Sequence, residues 1–250
     1  MAPTDHAPGK LPEHEATYRR LRDMVMFGEL EPGQKVTIQG ITATLGAGMT
    51  PVREAIRRLT AEGALILHEN RRVSVPRLTP SQVEELAFAR LALEPRLAAL
   101  AMERLTPADI DRIESLDQAL DVAIAAGETR GYLAGNYRFH FALYDVAGAP
   151  ILTSLTQSLW LRFAPSLRVV MTSDGAIGPD LHKEALSAMR AGDGRALVSA
   201  IEGDIRQGID RVRADLHQAL LRAGRGRCPP RPDGLTPQDI CGTKKGRGRD

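Results

Sequence analysis

The spacing of apolar positions divides the chain into a short mixed segment and a long run of helical pattern. Val52, Ala55, Ile56 and Leu59 fall at i, i+3, i+4 and i+7, which predicts a helix with one buried stripe. Thr50 is expected to cap that helix, Pro51 to sit in its first turn, and Gly63 to end it in a left-handed conformation. Before it, Thr37 suits the cap of a shorter helix carrying Ile38, Ile41 and Leu45, and Gly46-Ala47-Gly48 supplies a tight turn between the two. Helix, short glycine-containing turn, helix is the helix-turn-helix pattern. After Gly63, the apolar run Ala64 to Leu67, the polar tip Glu69-Asn70-Arg71-Arg72 and the alternating Val73-Ser74-Val75 predict a two-stranded hairpin, a wing beside the second helix.

From Thr79 onward one helix follows another. Thr79-Pro80-Ser81-Gln82 is a capping box with Pro at the first helical position, and Thr106-Pro107-Ala108-Asp109 opens a second helix similarly. Helices are expected over about 80–104, 107–126, 129–147, 150–172, 179–191 and 194–221, the last capped by Asp193 after the Gly192 turn. The expected fold is mainly α: a winged helix-turn-helix over 10–78, an all-helical bundle of six or seven helices over 79–222, and a disordered basic tail over 223–250.

Charge sharpens this division. The net charge of +2 conceals eleven Lys/Arg against eight acids in 10–78, fourteen against nineteen in 79–221, and eight against three in 222–250. The winged segment and the tail attract DNA, and the middle region repels it. No apolar run is long enough to span a membrane and no signal-peptide core opens the chain. Cys228 and Cys241 both lie in the tail, without metal spacing, which fits a reducing cytoplasm. Arg53 and Arg57 share a face of the second helix, free to read something anionic, and Arg71 with Arg72 would add contacts from the wing.

Polar residues interrupt the apolar stripes of the middle region. Asn136 and His140 stack one turn apart among Leu133, Phe139 and Leu143; His182 lies with Ala185, Leu186 and Met189; Asp204 lies with Leu197, Ile201 and Ile205. A core histidine is more often bonded to a backbone carbonyl than to a ligand, but a buried carboxylate needs a partner, an altered pKa or a metal. Arg90 falls on the stripe of Val83, Leu86, Leu93, Leu97 and Leu100, where an i,i+4 pair with Glu94 competes with a pocket-facing role. Arg162 falls beside Leu155 and Leu159 and is a second candidate contact for an anion.

The segment from about Tyr18 to Arg77 resembles the GntR family of bacterial transcription regulators. The residues that carry the resemblance are Gly28-Glu29-Leu30-Glu31-Pro32-Gly33, Thr50-Pro51-Val52-Arg53-Glu54-Ala55, Arg57-Arg58-Leu59 and Ala61-Glu62-Gly63. It departs from the family where Met49 replaces an Arg that commonly precedes the Thr-Pro-Val-Arg run, and where Arg72 follows Arg71 at a wing tip that usually carries Gly. Residues 79–221 resemble the helical effector domain of the FadR subfamily, called FCD, through Arg90-Leu91-Ala92-Leu93-Glu94, Phe139-His140 followed by Gly148 to Leu152, and His182 before Arg190-Ala191-Gly192-Asp193.

That resemblance implies a divalent metal, Zn, Ni or Mn, held by the positions Asn136, His140, His182 and Asp204. The family's Asp, His, His, His has here become Asn, His, His, Asp; the alternative is a metal-free polar pocket. It further implies Thr50, Arg53, Arg57, Arg71 and Arg72 on a double-stranded, roughly palindromic DNA operator, and Arg90 with Arg162 on a small organic acid effector. The expected protein is a cytoplasmic homodimer, a ligand-responsive repressor and not an enzyme, with coupling through Leu78 to Ser81. The alternatives are a DNA-binding protein with an inert dimerisation domain and a metalloenzyme fused to a DNA-binding module. No nucleophile motif or phosphate loop accompanies the histidines to favour the latter.

Overall fold

The structure, a computed structural model, describes residues 11–172 and 179–225. The expected tail lies almost wholly outside those residues, as does the N-terminal stretch before Leu11. The winged part contains α1 (Glu13–Met26), β1 (Lys35–Val36), α2 (Ile38–Leu45), α3 (Met49–Ala61), β2 (Ile66–Leu67) and β3 (Val73–Ser74). Val52 and Leu59 of α3 are fully buried with Leu21 and Val25 of α1, so the stripe read from spacing is the one that packs. Thr37 accepts from Gly40 N–H at 3.0 Å and Gly46 turns left-handed at the end of α2, as expected.

Three local features differ from expectation. Met49 begins α3 and Gly48 caps it, with no side-chain cap; Thr50 is already helical. Pro51 tolerates this because the first-turn N–H groups lack intrahelical partners anyway. The wing also has a third strand: the sheet order is β1-β3-β2, antiparallel throughout, with Lys35 opposite Ser74. A two-residue strand carries too little alternation to announce itself. At the tip, Arg71 N–H bonds His68 carbonyl at 2.9 Å and Arg71 itself has φ 59°. This is the left-handed position of a three-residue hairpin loop, where Gly is the usual occupant.

The helical part comprises α4 (Pro80–Met102), α5 (Pro107–Ala125), α6 (Thr129–Val146), α7 (Pro150–Phe163), a 3-10 helix (Ala164–Arg168), α8 (Val169–Thr172), α9 (Leu181–Ala191) and α10 (Gly194–Arg225). Both expected capping boxes are present, and Asp193 caps α10 through Arg195 and Ala196 N–H. The single helix expected over 150–172 is broken because Pro165 has no N–H to continue the α ladder. Asp180 caps α9, which begins at Leu181, two residues after its expected start, and α10 continues past 221.

The winged and helical parts belong to one compact unit that extends to Leu216. Tyr137 of α6 stacks on Phe141 at 4.3 Å and meets Phe27, just after α1, edge-on at 5.8 Å. Three arginines of the helical part reach the winged part: Arg130 to Glu29 at 2.6 Å, Arg168 to Glu31 at 2.8 Å, and Arg162 Nε to the Glu62 carbonyl at 3.0 Å. Gly63, at φ +75°, ends α3 as expected, and a Cβ there would stand 3.0 Å from Arg162 Nε.

Replacing Arg71 by Gly removes the cost of a left-handed non-glycine residue. Urea denaturation of Arg71→Gly should show a gain of about 1 kcal/mol; an unchanged or lower midpoint would mean that the tip is unstrained.

Candidate metal and ligand centre

Helices α6, α9 and α10 each contribute one polar side chain to a common point. His140 Nε2 lies 3.0 Å from Asp204 Oδ2, and His182 Nε2 lies 3.8 Å from Asp204 Oδ1. One ligand atom from each residue falls within 4.8 Å of the others. His140 is fully buried, His182 nearly so, and Asp204 is half-buried. Asn136, one turn before His140, is 6% exposed, and its side chain makes no hydrogen bond to the described residues.

The two imidazoles are held differently. His182 Nδ1 lies 3.0 Å from Asp117 Oδ1, and the other oxygen of Asp117 takes Lys183 Nζ, which also bonds Asp121 at 2.7 Å. Phe139 stacks on the His182 ring at 3.8 Å and 8°. His140 Nδ1 lies 3.1 Å from Tyr144 Oη, which donates to Glu94 Oε2 at 2.8 Å. Arg90 Nε donates to Glu94 Oε1 at 2.5 Å, and its guanidinium covers the faces of Trp160 and Phe163 at 4.5 and 4.9 Å.

Electrostatics follow from this packing. Burial pushes His140 below its ordinary pKa, outweighing the attraction of Asp204. Burial also disfavours charge on His182, but the bond to Asp117 and the charges of Asp204, Asp117 and Asp180 raise it overall. Asp204 would be raised by burial, yet neighbouring His140, then the charges of His182, His140 and Arg90, bring it to about 2. Burial and Glu94 together raise Tyr144, which keeps its proton.

A metal ion suits this donor set. His140 Nε2 is buried without a hydrogen bond of acceptable geometry, although the Asp204 carboxylate is close enough for an ion pair. Two imidazole nitrogens and a carboxylate oxygen are ligands for Zn, Ni or Mn. Beside them opens a cavity of about 210 Å³ lined by Tyr132, Asn136, Val170, Leu181 and Gln207, among others. A recess of about 30 Å³, lined by Arg90, Asn136, Leu167, Asp204 and Arg211, adjoins the same residues.

The expected site residues thus separate. Asn136, His140, His182 and Asp204 come together, and Arg90 both forms its i,i+4 pair and reaches the recess. Arg162 does not join them: it is exposed on α7 and lines a separate cleft of about 460 Å³ with Gly63, Leu78 and Gln82. Leu155 beside it is 51% exposed, so that stripe faces solvent rather than the pocket. Asp117, Tyr144 and Lys183 escaped sequence reasoning. The i,i+4 spacing of His140 and Tyr144 was the signal for one of them; no local spacing links Asp117 to His182 across 65 residues.

On the winged part, Thr50, Arg53, Arg57, Arg71 and Arg72 are all exposed. Arg57 is held by Glu54 at 2.6 Å, whereas Arg53 engages no carboxylate among the described residues. Arg58 has a structural role instead, lying 3.5 Å over the Tyr18 ring and bonding both Glu15 and Glu62.

An exposed basic helix with a wing, packed on a helical unit that contains a cavity, is the architecture of a DNA-binding regulator. Residues 13–75 match the family model "Bacterial regulatory proteins, gntR family", and residues 85–207 match that of the FCD domain. The chain belongs to the GntR family of transcriptional regulators and carries an FCD effector domain. It is 29% identical over 198 residues to the HTH-type transcriptional regulator McbR of Escherichia coli K12, covering 79% of this chain and 86% of McbR. The solved structure of E. coli McbR/YncC superposes with a TM-score of 0.75 at 26% identity, over 84% of this chain and all of that one. A putative GntR regulator from Rhodococcus sp. RHA1 shares the fold, with a TM-score of 0.66 at 23% identity over 80% of this chain and 97% of the other. No helix among the described residues is long and apolar enough to cross a membrane.

Glu94 neutralises a buried guanidinium, so Glu94→Ala should cost about 3–5 kcal/mol in urea denaturation, and the double change Arg90→Met with Glu94→Leu should cost clearly less. Equal losses would show that packing, and not the unpaired charge, sets the cost.

Proposed function

We propose that this protein is a ligand-responsive repressor that binds a roughly palindromic operator as a homodimer in the cytoplasm, with residues 10–78 on DNA and 79–222 sensing a small organic acid. The observation that carries this reading is the juxtaposition of His140, His182 and Asp204 with a cavity of about 210 Å³, in a helical unit packed against the winged part. When bound, a divalent cation would supply fixed positive charge for the acid's carboxylate. His140, His182 and Asp204 would hold it, with the Asn136 amide beside them as a poorer oxygen donor than the family's carboxylate. Arg90, in the wall of the recess, adds a second cationic contact.

DNA recognition falls to the exposed residues of α3 and the wing. Arg53, with no carboxylate partner among the described residues, is the favoured base-edge contact; Thr50 and Arg57 support it, and Arg71 with Arg72 meet phosphate or the minor groove. A dimer suits the apolar residues that α4 and α7, which pack on each other, leave in solvent: Phe88 at 79% and Ile151 at 76% exposed. A ligand acts by favouring one arrangement of the paired winged parts, since it shifts only an equilibrium for which its affinities differ.

A thermal-shift screen of organic acids with and without Zn, Ni or Mn, followed by operator binding with each hit, tests the whole reading. Stabilisation by metal plus acid and loss of operator affinity is the expected result; no response to any combination removes the sensing role.

Arg53→Ala should weaken operator binding by about 1–3 kcal/mol and relax specificity, whereas Arg72→Ala should weaken operator and random DNA alike and lower the salt slope by about 1. Equal effects of both variants on both DNAs would overturn this division. Phe88→Glu should give a monomer in sedimentation analysis while preserving the helical circular dichroism; a dimer that persists would move the interface elsewhere.

A further inference from the structure

Two hydrogen-bond relays end on the two imidazoles, one from each side of the centre. The first runs Arg90, Glu94, Tyr144, His140; the second runs Asp121, Lys183, Asp117, His182. Counting protons along each relay shows which way Nδ1 of each imidazole acts.

Tyr144 has one hydroxyl proton, and an ionised carboxylate only accepts. Glu94, already paired with Arg90, therefore receives that proton from Tyr144 Oη at 2.8 Å. The contact of 3.1 Å between Tyr144 Oη and His140 Nδ1 then requires Nδ1 to donate. His140 Nε2 in turn faces the Asp204 carboxylate at 3.0 Å, a contact that a second ring proton or a bound cation would satisfy. The second relay gives the same answer more directly. Asp117, fully buried and held by Lys183, can only accept, so His182 Nδ1 donates to it at 3.0 Å. Phe139 fixes the ring plane, and Nε2 of His182 turns toward Asp204.

We propose that Tyr144 and Asp117 are positioning residues that place the Nδ1 proton of His140 and His182 away from the centre, so that both Nε2 atoms face Asp204 as donors to one divalent cation. The consequence for the cation rests on the metal reading above; the placement of the protons does not. Arg90 and Lys183 anchor the far ends. This gives Arg90 a role independent of any effector, through the orientation of His140. Metal-ligating histidines are commonly oriented by such partners, and removing one typically lowers metal affinity about 10- to 100-fold.

The test uses the full chain, metal-free and loaded. Long-range ¹H–¹⁵N correlation spectra of the metal-free protein distinguish protonated from unprotonated ring nitrogens, and titration against a chromophoric chelator gives Zn and Ni affinities. In the unaltered protein, His140 should carry its proton on Nδ1. Tyr144→Phe should remove the Nδ1 proton and leave Nε2 protonated against Asp204 Oδ2, and Zn affinity should fall about 10- to 100-fold. Asp117→Asn should lower Zn affinity by a similar factor, with the His182 ring signals altered and those of His140 retained. Helical circular dichroism and urea midpoints identify any variant that fails to fold, and the spectrum of the unaltered protein decides the matter without a variant. A His140 whose Nδ1 carries no proton in the unaltered protein overturns the proposal whether or not metal binds. Tyr144→Phe and Asp117→Asn that leave spectra and affinities unchanged overturn it as well. A protein with the Nδ1 proton in place that binds neither Zn nor Ni supports the relays and refutes the metal reading alone.

Discussion

A guanidinium and a carboxylate, Arg90 and Glu94, sit one turn apart on α4 with at most 2% of either exposed. Such a pair is stable only because each partner removes the desolvation penalty of the other, and because further bonds use their remaining capacity. Here the remaining capacity is spent in three directions. Glu94 takes the Tyr144 hydroxyl and thereby reaches His140 on α6. The guanidinium lies against Trp160 and Phe163 of α7, and it faces the recess that Asp204 of α10 also lines. Four helices meet around one ion pair, so the polar centre is built on a fixed charge pattern rather than placed in a cavity of an otherwise apolar bundle.

The sequence carries the elements with little ambiguity and the contacts between them with much more. Capping boxes at Thr79 and Thr106, the left-handed glycines 46, 63 and 192 and the Val52 to Leu59 stripe are local devices, legible because each involves residues within a few positions of one another. Ends shifted wherever neighbouring choices were close in energy, as at Met49 against Thr50. In the centre, Asn136, His140, His182 and Asp204 were legible as polar interruptions of apolar stripes. Their partners were not: Asp117 reads as an ordinary surface acid on α5, and only the packing of α9 on α5 buries it beneath His182. Arg162 misled for the converse reason. A stripe of Leu155, Leu159 and Arg162 fits helical spacing, but α7 turns part of that stripe to solvent and uses the arginine to hold the end of α3.

Relative to the pattern that the family resemblance implies, the proposed donor set keeps a carboxylate but moves it. With Asn136 neutral and Asp204 charged, the negative charge stands on α10 instead of on α6 beside His140. Asp204 is thereby the one member of the group that touches both imidazoles, at 3.0 and 3.8 Å, and also lines both the cavity and the recess. Asn136 keeps its place in the wall without competing for positive charge. The centre is therefore asymmetric: neutral on the α6 side and anionic on the α10 side.

The break at Pro165 has a mechanical meaning. Because the chain winds tightly from Ala164 to Arg168 instead of continuing α7, consecutive residues there look in different directions. Leu167 forms part of the recess, and Arg168, the next residue, grips Glu31 in the turn that leads to β1 of the wing. A single peptide unit separates the wall of the recess from the arginine that holds the winged part. One short turn therefore belongs at once to the recess and to the contact with the winged part.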